Sequence, residues 1–333
     1  MISNEILSQL VPRFEARLDF EFNRRLEELE YDDPVKNIGL WSAYLRHRIR
    51  VELSDNRELL ERTERSGFIA TGIFRTPSNV DYLSSEYFPA VEGYQFGMVI
   101  LQSDMVSNRT EQNNKYSEIY LGNYLAPIVE FQSGITPHIS NAQGHVAALF
   151  KDDDGDVFGI TAAHVVNGYR KGQSVDVYCS DCGASAIVTK KAPGLLDAAI
   201  VKFPCGGAIY KYNPSSIELR PAIEGESISI YFGESGTRTA TVMLSLQTPT
   251  EILSAAIPKH FLIDEHGHSG DSGSLVAGTD SSPYDDQELL GIYLGETDCE
   301  DGNQRMITYG YALDLKQAAD IFRISVQTGE FNE

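Results

Sequence analysis

Three polar residues sit among small and apolar neighbours: His164 in GITAAHVV, Asp197 in LLDAAIVKF and Ser272 in GHSGDSGSLV. Each alone is ordinary, since a histidine after a strand commonly satisfies a local hydrogen bond. Together they are a base, an acid and a nucleophile, the set that acyl transfer needs. A serine hydroxyl is a weak nucleophile at neutral pH and needs an imidazole to accept its proton as it attacks. The imidazole in turn needs a carboxylate to hold its tautomer and stabilise the imidazolium. The glycines around Ser272 fit the same chemistry. A tetrahedral intermediate carries negative charge on oxygen, and backbone N–H groups aimed from a tight turn can meet it. Gly270 and Ser272 are the expected donors, because a glycine at 270 takes backbone angles that a side chain opposes.

These residues need a scaffold. From about Gln132 the chain reads as short strands (HVAALFKD, DVFGITAAHVV, SVDVYC, SAIVTK, AAIVKF, SISIYF, TATVMLSL, LLGIYLGE and ITYGYAL) punctuated by turn residues at the spacing of an all-β barrel or sandwich. DLKQAADIFRI repeats Leu315, Ala318, Ala319 and Phe322 at helical spacing and is expected to pack as a closing helix. The first 65 residues read as helical. Leu7, Val11, Phe14, Leu18, Phe22, Leu26 and Leu29 line one face, and a second helix runs from Val35 to Arg65 with Trp41, Leu45, Ile49 and Leu53 inward and arginines outward. β-like runs such as GFIATGIF and YQFGMVILQ follow between Ser66 and Glu130. Residues 1–130 are therefore expected to form a helical or α+β N-terminal module, and residues 131–333 a mainly β domain.

Composition narrows the partners. A chain of 333 residues has room for two compact units, and 42% apolar residues is ordinary globular usage. A formal charge of -21 argues against nucleic acid or an anionic membrane, which need clustered Lys and Arg, and leaves a basic protein partner open. The start, MISNEILSQLVPRFEARLDF, has charges every few residues and reads neither as a secretory signal nor as a membrane span, so a cytoplasmic location is expected. Cys179, Cys182, Cys205 and Cys299 fit reduced thiols. The CxxC pair supplies only two of the four ligands of a structural zinc, so no metal and no cofactor is expected. The acidic run from Asp152 to Asp156 lacks the ligand spacing of a calcium loop and reads as a turn.

TAAHV, DAAIV and GDSGS, in that order on a β-rich background, resemble the trypsin/chymotrypsin-like serine peptidase family over about residues 132–328. The resemblance implies two six-stranded antiparallel β-barrels with a C-terminal helix and a cleft between the barrels. His164 and Asp197 would belong to the first barrel and Ser272 to the second. LLGIYLGE would be the strand lining the cleft, with Tyr293, Leu294, Gly295 and Glu296 as substrate-binding residues. By its place His266 resembles the base of the first specificity pocket, favouring an acidic or polar side chain, whereas Glu296 would favour Lys or Arg. The sequence also departs from the family. Val165 replaces the cysteine usual after the histidine, no cysteine precedes the serine motif, and only Gly134-Ile135 hints at an activating amino terminus. The partner of Asp271 is open, with His266 and His268 as candidates. The resemblance implies a serine endopeptidase acting on protein or peptide substrates, with residues 1–130 regulating it, recruiting substrate or binding a regulatory protein. The alternative is a catalytically silent pseudopeptidase that keeps the scaffold for protein binding.

Overall fold

The computed structural model describes residues 34–75, 94–103, 117–121, 124–133, 144–151, 156–168, 170–175, 186–192, 196–203, 217–232, 236–279, 287–300 and 306–324. The apolar stripe from Leu7 to Leu29, Gly134-Ile135, Cys179, Cys182 and Cys205 lie outside these residues. Helix α1 (Pro34–Asp55) stops at Asn56, and α2 (Arg57–Ser66) follows, so the second helical run is broken in two. Leu45, Ile49 and Leu53 recur every fourth residue and are at most 1% exposed. Each such burial is worth about 1.5–3 kcal/mol. One arginine does not face outward as expected: Arg46 donates to Glu224 at 2.5 Å and to Thr71 at 3.2 Å.

The strands are β1 (Gly67–Arg75), β2 (Tyr94–Ser103), β3 (Ser117–Leu121), β4 (Tyr124–Ser133), β5 (Ala148–Lys151), β6 (Val157–Thr161), β7 (Ser174–Val175), β8 (Ala186–Lys191), β9 (Ala199–Phe203), β10 (Ile217–Leu219), β11 (Ser227–Phe232), β12 (Gly236–Gln247), β13 (His260–Ile263), β14 (Leu275–Gly278), β15 (Gln287–Glu300) and β16 (Met306–Asp314). A short helix, α3 (Pro249–Leu253), follows β12. Six strands close a barrel in the order β11-β14-β15-β16-β13-β12, with β11 pairing back onto β12. Closure pairs each of the six strands on both sides over part of its length, and the inward residues alternate along the strands. In SISIYF the buried positions are Ile228, Ile230 and Phe232, and they meet Val242, Phe261, Val276 and Tyr293 inside the barrel.

The first region extends the barrel's own sheet. β1 lies antiparallel on β12, β2 on β1, β4 runs parallel to β2, and the far end of β15 meets β4 at Cys299↔Ser133 and Glu300↔Gln132. A second ring of strands, β12-β1-β2-β4-β15-β16-β13, thus shares β12, β13, β15 and β16 with the barrel. Gly72 permits the close approach of β1: it has φ +139°, and a Cβ there would lie 2.4 Å from the Met243 carbonyl oxygen.

A separate sheet, in the order β5-β6-β9-β8-β7, precedes the barrel in the chain. Among the described residues it has five strands. The closing helix α4 (Leu315–Phe322) buries Leu315, Ala318, Ala319 and Phe322, the residues the spacing selected. Asp314 caps it by accepting from the Gln317 amide at 2.8 Å.

Candidate active site

The β-ladder explains how residues distant in sequence meet. Thr161 at the end of β6 pairs with Ala199 at the start of β9. The 3-10 turn Ala163–Val166, which follows β6, therefore comes beside the residues that precede β9. Asp197 Oδ1 accepts from the His164 backbone N–H at 2.8 Å, and Oδ2 makes a short hydrogen bond with His164 Nδ1. The two contacts fix the ring's place and orientation. With its proton on Nδ1 and directed at Asp197, the imidazole keeps Nε2 as an acceptor. That Nε2 atom is buried and has no hydrogen-bond partner. Buried polar atoms without partners are uncommon, and among the described residues Ser274 Oγ and His260 Nε2 share this state.

Ser272 rides on a glycine-bounded turn. Gly270 has φ +103° and Gly273 φ +88°, in the left-handed range that suits glycine. A Cβ on Gly273 would lie 2.0 Å from the His145 carbonyl oxygen. The His145 amide donates to the Ser272 carbonyl at 2.7 Å, and Thr161 Oγ1 donates to the His145 carbonyl at 2.6 Å. This chain of bonds ties the serine turn of the barrel to the end of β6, three residues before His164. The amides of Gly270 and Ser272, the expected oxyanion donors, make no hydrogen bond among the described residues.

The Ser272 hydroxyl does not lie on His164. It donates to the Leu294 carbonyl at 2.9 Å. A β-bulge explains why that carbonyl is available: Tyr293 pairs with Ala312 and Gly295 with Tyr311, leaving Leu294 as the extra residue of β15. Bulges re-aim backbone groups beside sites of this kind.

The remaining candidates divide. Tyr293 is 1% exposed and Leu294 2%, so their side chains belong to the interior. The Tyr293 hydroxyl accepts from the Gly267 amide at 2.7 Å, its carbonyl accepts from Gly273 N–H at 2.7 Å, and its ring meets Phe232 edge to face. Burial pushes this phenol's pKa up. Its work is to hold the 267–273 loop. His266 and Glu296, whose expected preferences oppose each other, face each other at 3.3 Å, both 45% exposed. Gly295 follows the bulge with φ +148°.

Asp271 is satisfied differently from the expectation. It accepts from the His268 backbone amide at 2.7 Å, not its imidazole, and His145 Nε2 lies 4.0 Å away. His266 Nδ1 instead approaches Glu296 to 3.3 Å, without a hydrogen bond between them. His145 was missed although a histidine heading a strand, HVAALFKD, was a visible cue. The Leu294 carbonyl left no trace, because a bulge is a property of register rather than of composition. Among the described residues no group of three or more His, Cys, Asp or Glu could hold a metal ion.

No protein-family model matches the chain, and no curated protein sequence matches it. Similar solved structures are chymotrypsin-like serine proteases. A glutamic acid specific serine protease shares 16% identity over 53% of this chain and 90% of its own, with TM-score 0.36. Nocardiopsis protease shares 12% identity over 55% of this chain and 92% of its own, with TM-score 0.37. Rv3671c protease from M. tuberculosis in its active form shares 19% identity over 55% of this chain and 77% of its own, with TM-score 0.32. The chain itself is mainly β, with a closed six-stranded barrel and a C-terminal helix. No helix among the described residues is long and apolar enough to cross a membrane.

Proposed function

We propose that this chain is a serine endopeptidase that cleaves protein or peptide substrates through an acyl-enzyme, with Ser272 as nucleophile, His164 as general base and acid, and Asp197 as the group that orients and stabilises the imidazole. The observation that carries the reading is the double contact of Asp197 with His164, which leaves a buried, unpartnered Nε2 in a molecule whose glycine-framed serine is tied to the same strand end. The five-stranded sheet corresponds in this reading to the first barrel, with the cleft between it and the closed barrel.

The resting hydrogen bond of Ser272 suggests how a substrate takes part in assembling the site. An extended peptide pairing with the edge of β15 would bring an N–H to the Leu294 carbonyl. The Ser272 hydroxyl, displaced from that carbonyl, would rotate to His164 Nε2, give up its proton there and attack the scissile carbonyl. The oxyanion would be met by the amides of Gly270 and Ser272, and the proton on Nε2 would pass to the leaving amine. Water would then repeat the sequence on the acyl-enzyme. Gly295 and Glu296 would contact the residues on the acyl side, and His266 with Glu296 would shape the first specificity pocket. Residues 1–130 act in this reading as a module that regulates the cleft or recruits substrate. The charge of -21 favours protein over nucleic acid partners.

A fluorophosphonate probe tests the reading: Ser272 is labelled covalently, and Ser272→Ala abolishes labelling and peptide cleavage together. Labelling or cleavage that survives the substitution overturns it. The parking of the hydroxyl on Leu294 also favours a second reading, a catalytically silent scaffold that binds proteins. A folded protein that binds peptide yet resists the probe at every pH would select that reading.

A further inference from the structure

We propose that the hollow between α1 and the closed barrel is a binding site for a small apolar carboxylate. It lies where Gly39 and Arg46 of α1 face His260 and Phe261 of β13 and the residues from Pro221 to Glu224, and it encloses about 410 Å³. That volume falls in the range that holds small organic ligands. A second hollow of about 280 Å³ shares Arg46, Ile257 and Pro258 with the first and adds His47, Arg50 and Ile252. The two together form a route from a cationic lip to an apolar interior.

The lip has one guanidinium that lacks an anion among the described residues. Arg46 is already matched by Glu224. Arg50 rests instead on the His47 ring at 2.9 Å, and among the described residues it has no carboxylate partner. A carboxylate at the lip would gain charge-assisted hydrogen bonds from this guanidinium. Beside it Ile257 is 53% exposed, one of the two large apolar side chains that the described residues leave open to solvent. A ligand's apolar body would cover it on the way inward. The interior supplies the second polar contact. His260 is 7% exposed, lines the larger hollow and has an Nε2 atom without a hydrogen-bond partner. Its ring stacks on Tyr311 with centroids 5.2 Å apart, so its plane is fixed. Burial pushes its pKa down to about 4, which keeps it a neutral imidazole able to exchange a hydrogen bond with a hydroxyl. The ligand class is accordingly an aromatic or aliphatic acid with a carboxylate at one end and a hydroxyl at the other.

Calorimetric titration of the full chain with three acids, 4-hydroxyphenylacetate, 3-(4-hydroxyphenyl)propionate and 4-(4-hydroxyphenyl)butyrate, tests the site without reference to Ser272 chemistry. At least one should bind with 1:1 stoichiometry, and its primary amide should bind about tenfold more weakly, the effect of one charge-assisted bond. Arg50→Gln should weaken the acid about tenfold and leave the amide unchanged. Ile257→Glu should abolish binding of both, with each variant's thermal melt confirming its fold. The proposal fails if no acid binds saturably, if acid and amide bind alike, or if both folded variants bind like the parent. Because the readout is binding, either outcome stands whether or not the chain cleaves peptides.

Discussion

Two junctions meet the closed barrel, and they differ in which groups are paired and which are left open. On one side α1 and β1 are joined to β12 with their charges matched: Arg46 bonds Glu224 and Thr71, and Gly72 lets β1 approach the Met243 carbonyl closely. On the other side the five-stranded sheet meets the serine turn through the Thr161–His145–Ser272 bonds, while His164 Nε2 and the amides of Gly270 and Ser272 keep no partner among the described residues. A junction built only for stability would satisfy such groups, because each unmade bond costs about 1–3 kcal/mol. Unpartnered groups at the serine turn, His164 Nε2 and the amides of Gly270 and Ser272, mark where chemistry is expected, and His260 Nε2 at the α1 junction marks where binding is expected.

Substitutions at the two junctions should therefore fail in different ways. The largest effect is expected at the second. Asp197→Asn should keep the fold and lower kcat/KM about 10⁴-fold, because an amide N–H donating to Nδ1 holds His164 in the tautomer whose Nε2 carries the proton and cannot accept one from Ser272. Intact activity, measured by peptide hydrolysis, would break the comparison. At the first junction Arg46→Ala should lower unfolding free energy by about 3–5 kcal/mol, since it strands Glu224, which is 3% exposed. The double variant Arg46→Met/Glu224→Leu should recover most of that loss in urea melts. Gly72→Ala should cost about 1–3 kcal/mol by forcing a Cβ against the Met243 carbonyl, yet leave the rate of Ser272 labelling unchanged below its melting temperature. Gly273→Ala, in contrast, should abolish labelling.

The smallest effects concern pH, and they sharpen the first junction. Burial, outweighing hydrogen bonds from the Gln317 and Lys316 amides, pushes the Asp314 carboxyl up to about 7. Between pH 4 and 7 the native protein holds a proton that the unfolded chain has lost, so Asp314 makes stability fall as pH rises. His260 works in the other direction. With its pKa down at about 4 from 6.5, the native state lacks a proton that the unfolded chain holds, and stability falls as pH drops through that window. Each slope is about 1.4 kcal/mol per pH unit, so the two cancel where the windows overlap. Relative to the parent, Asp314→Asn should gain stability as pH rises from 4.5 to 6.5, and His260→Gln should lose it. Parallel curves for parent and variants in urea melts would contradict this pairing.

Of the candidate site, the pairing of His164 with Asp197 and the glycine-bounded turn at Ser272 were legible in the sequence, because the proposed chemistry dictates residue type and glycines stand where the backbone must turn. The barrel strands and closing helix were legible too, since Ile228, Ile230 and Phe232 alternate and Leu315, Ala318, Ala319 and Phe322 follow helical spacing. What escaped depends on long-range register. Neither the Leu294 bulge, nor the ring that β1, β2 and β4 make with β15, nor the inward turn of Arg46 is encoded in a local pattern. Tyr293 shows the same limit. Its position in the cleft strand suggested substrate contact, whereas the barrel turns its ring inward onto Phe232.

The most direct test of the account is a crystal structure of the full chain after reaction with a peptidyl boronic acid. The account predicts a Ser272 Oγ–boron bond, a boronate oxygen held by the amides of Gly270 and Ser272, His164 Nε2 within hydrogen-bond distance of the adduct, and a peptide N–H on the Leu294 carbonyl. A saturated crystal in which Ser272 stays unmodified on Leu294, with His164 Nε2 still unpartnered, would contradict it.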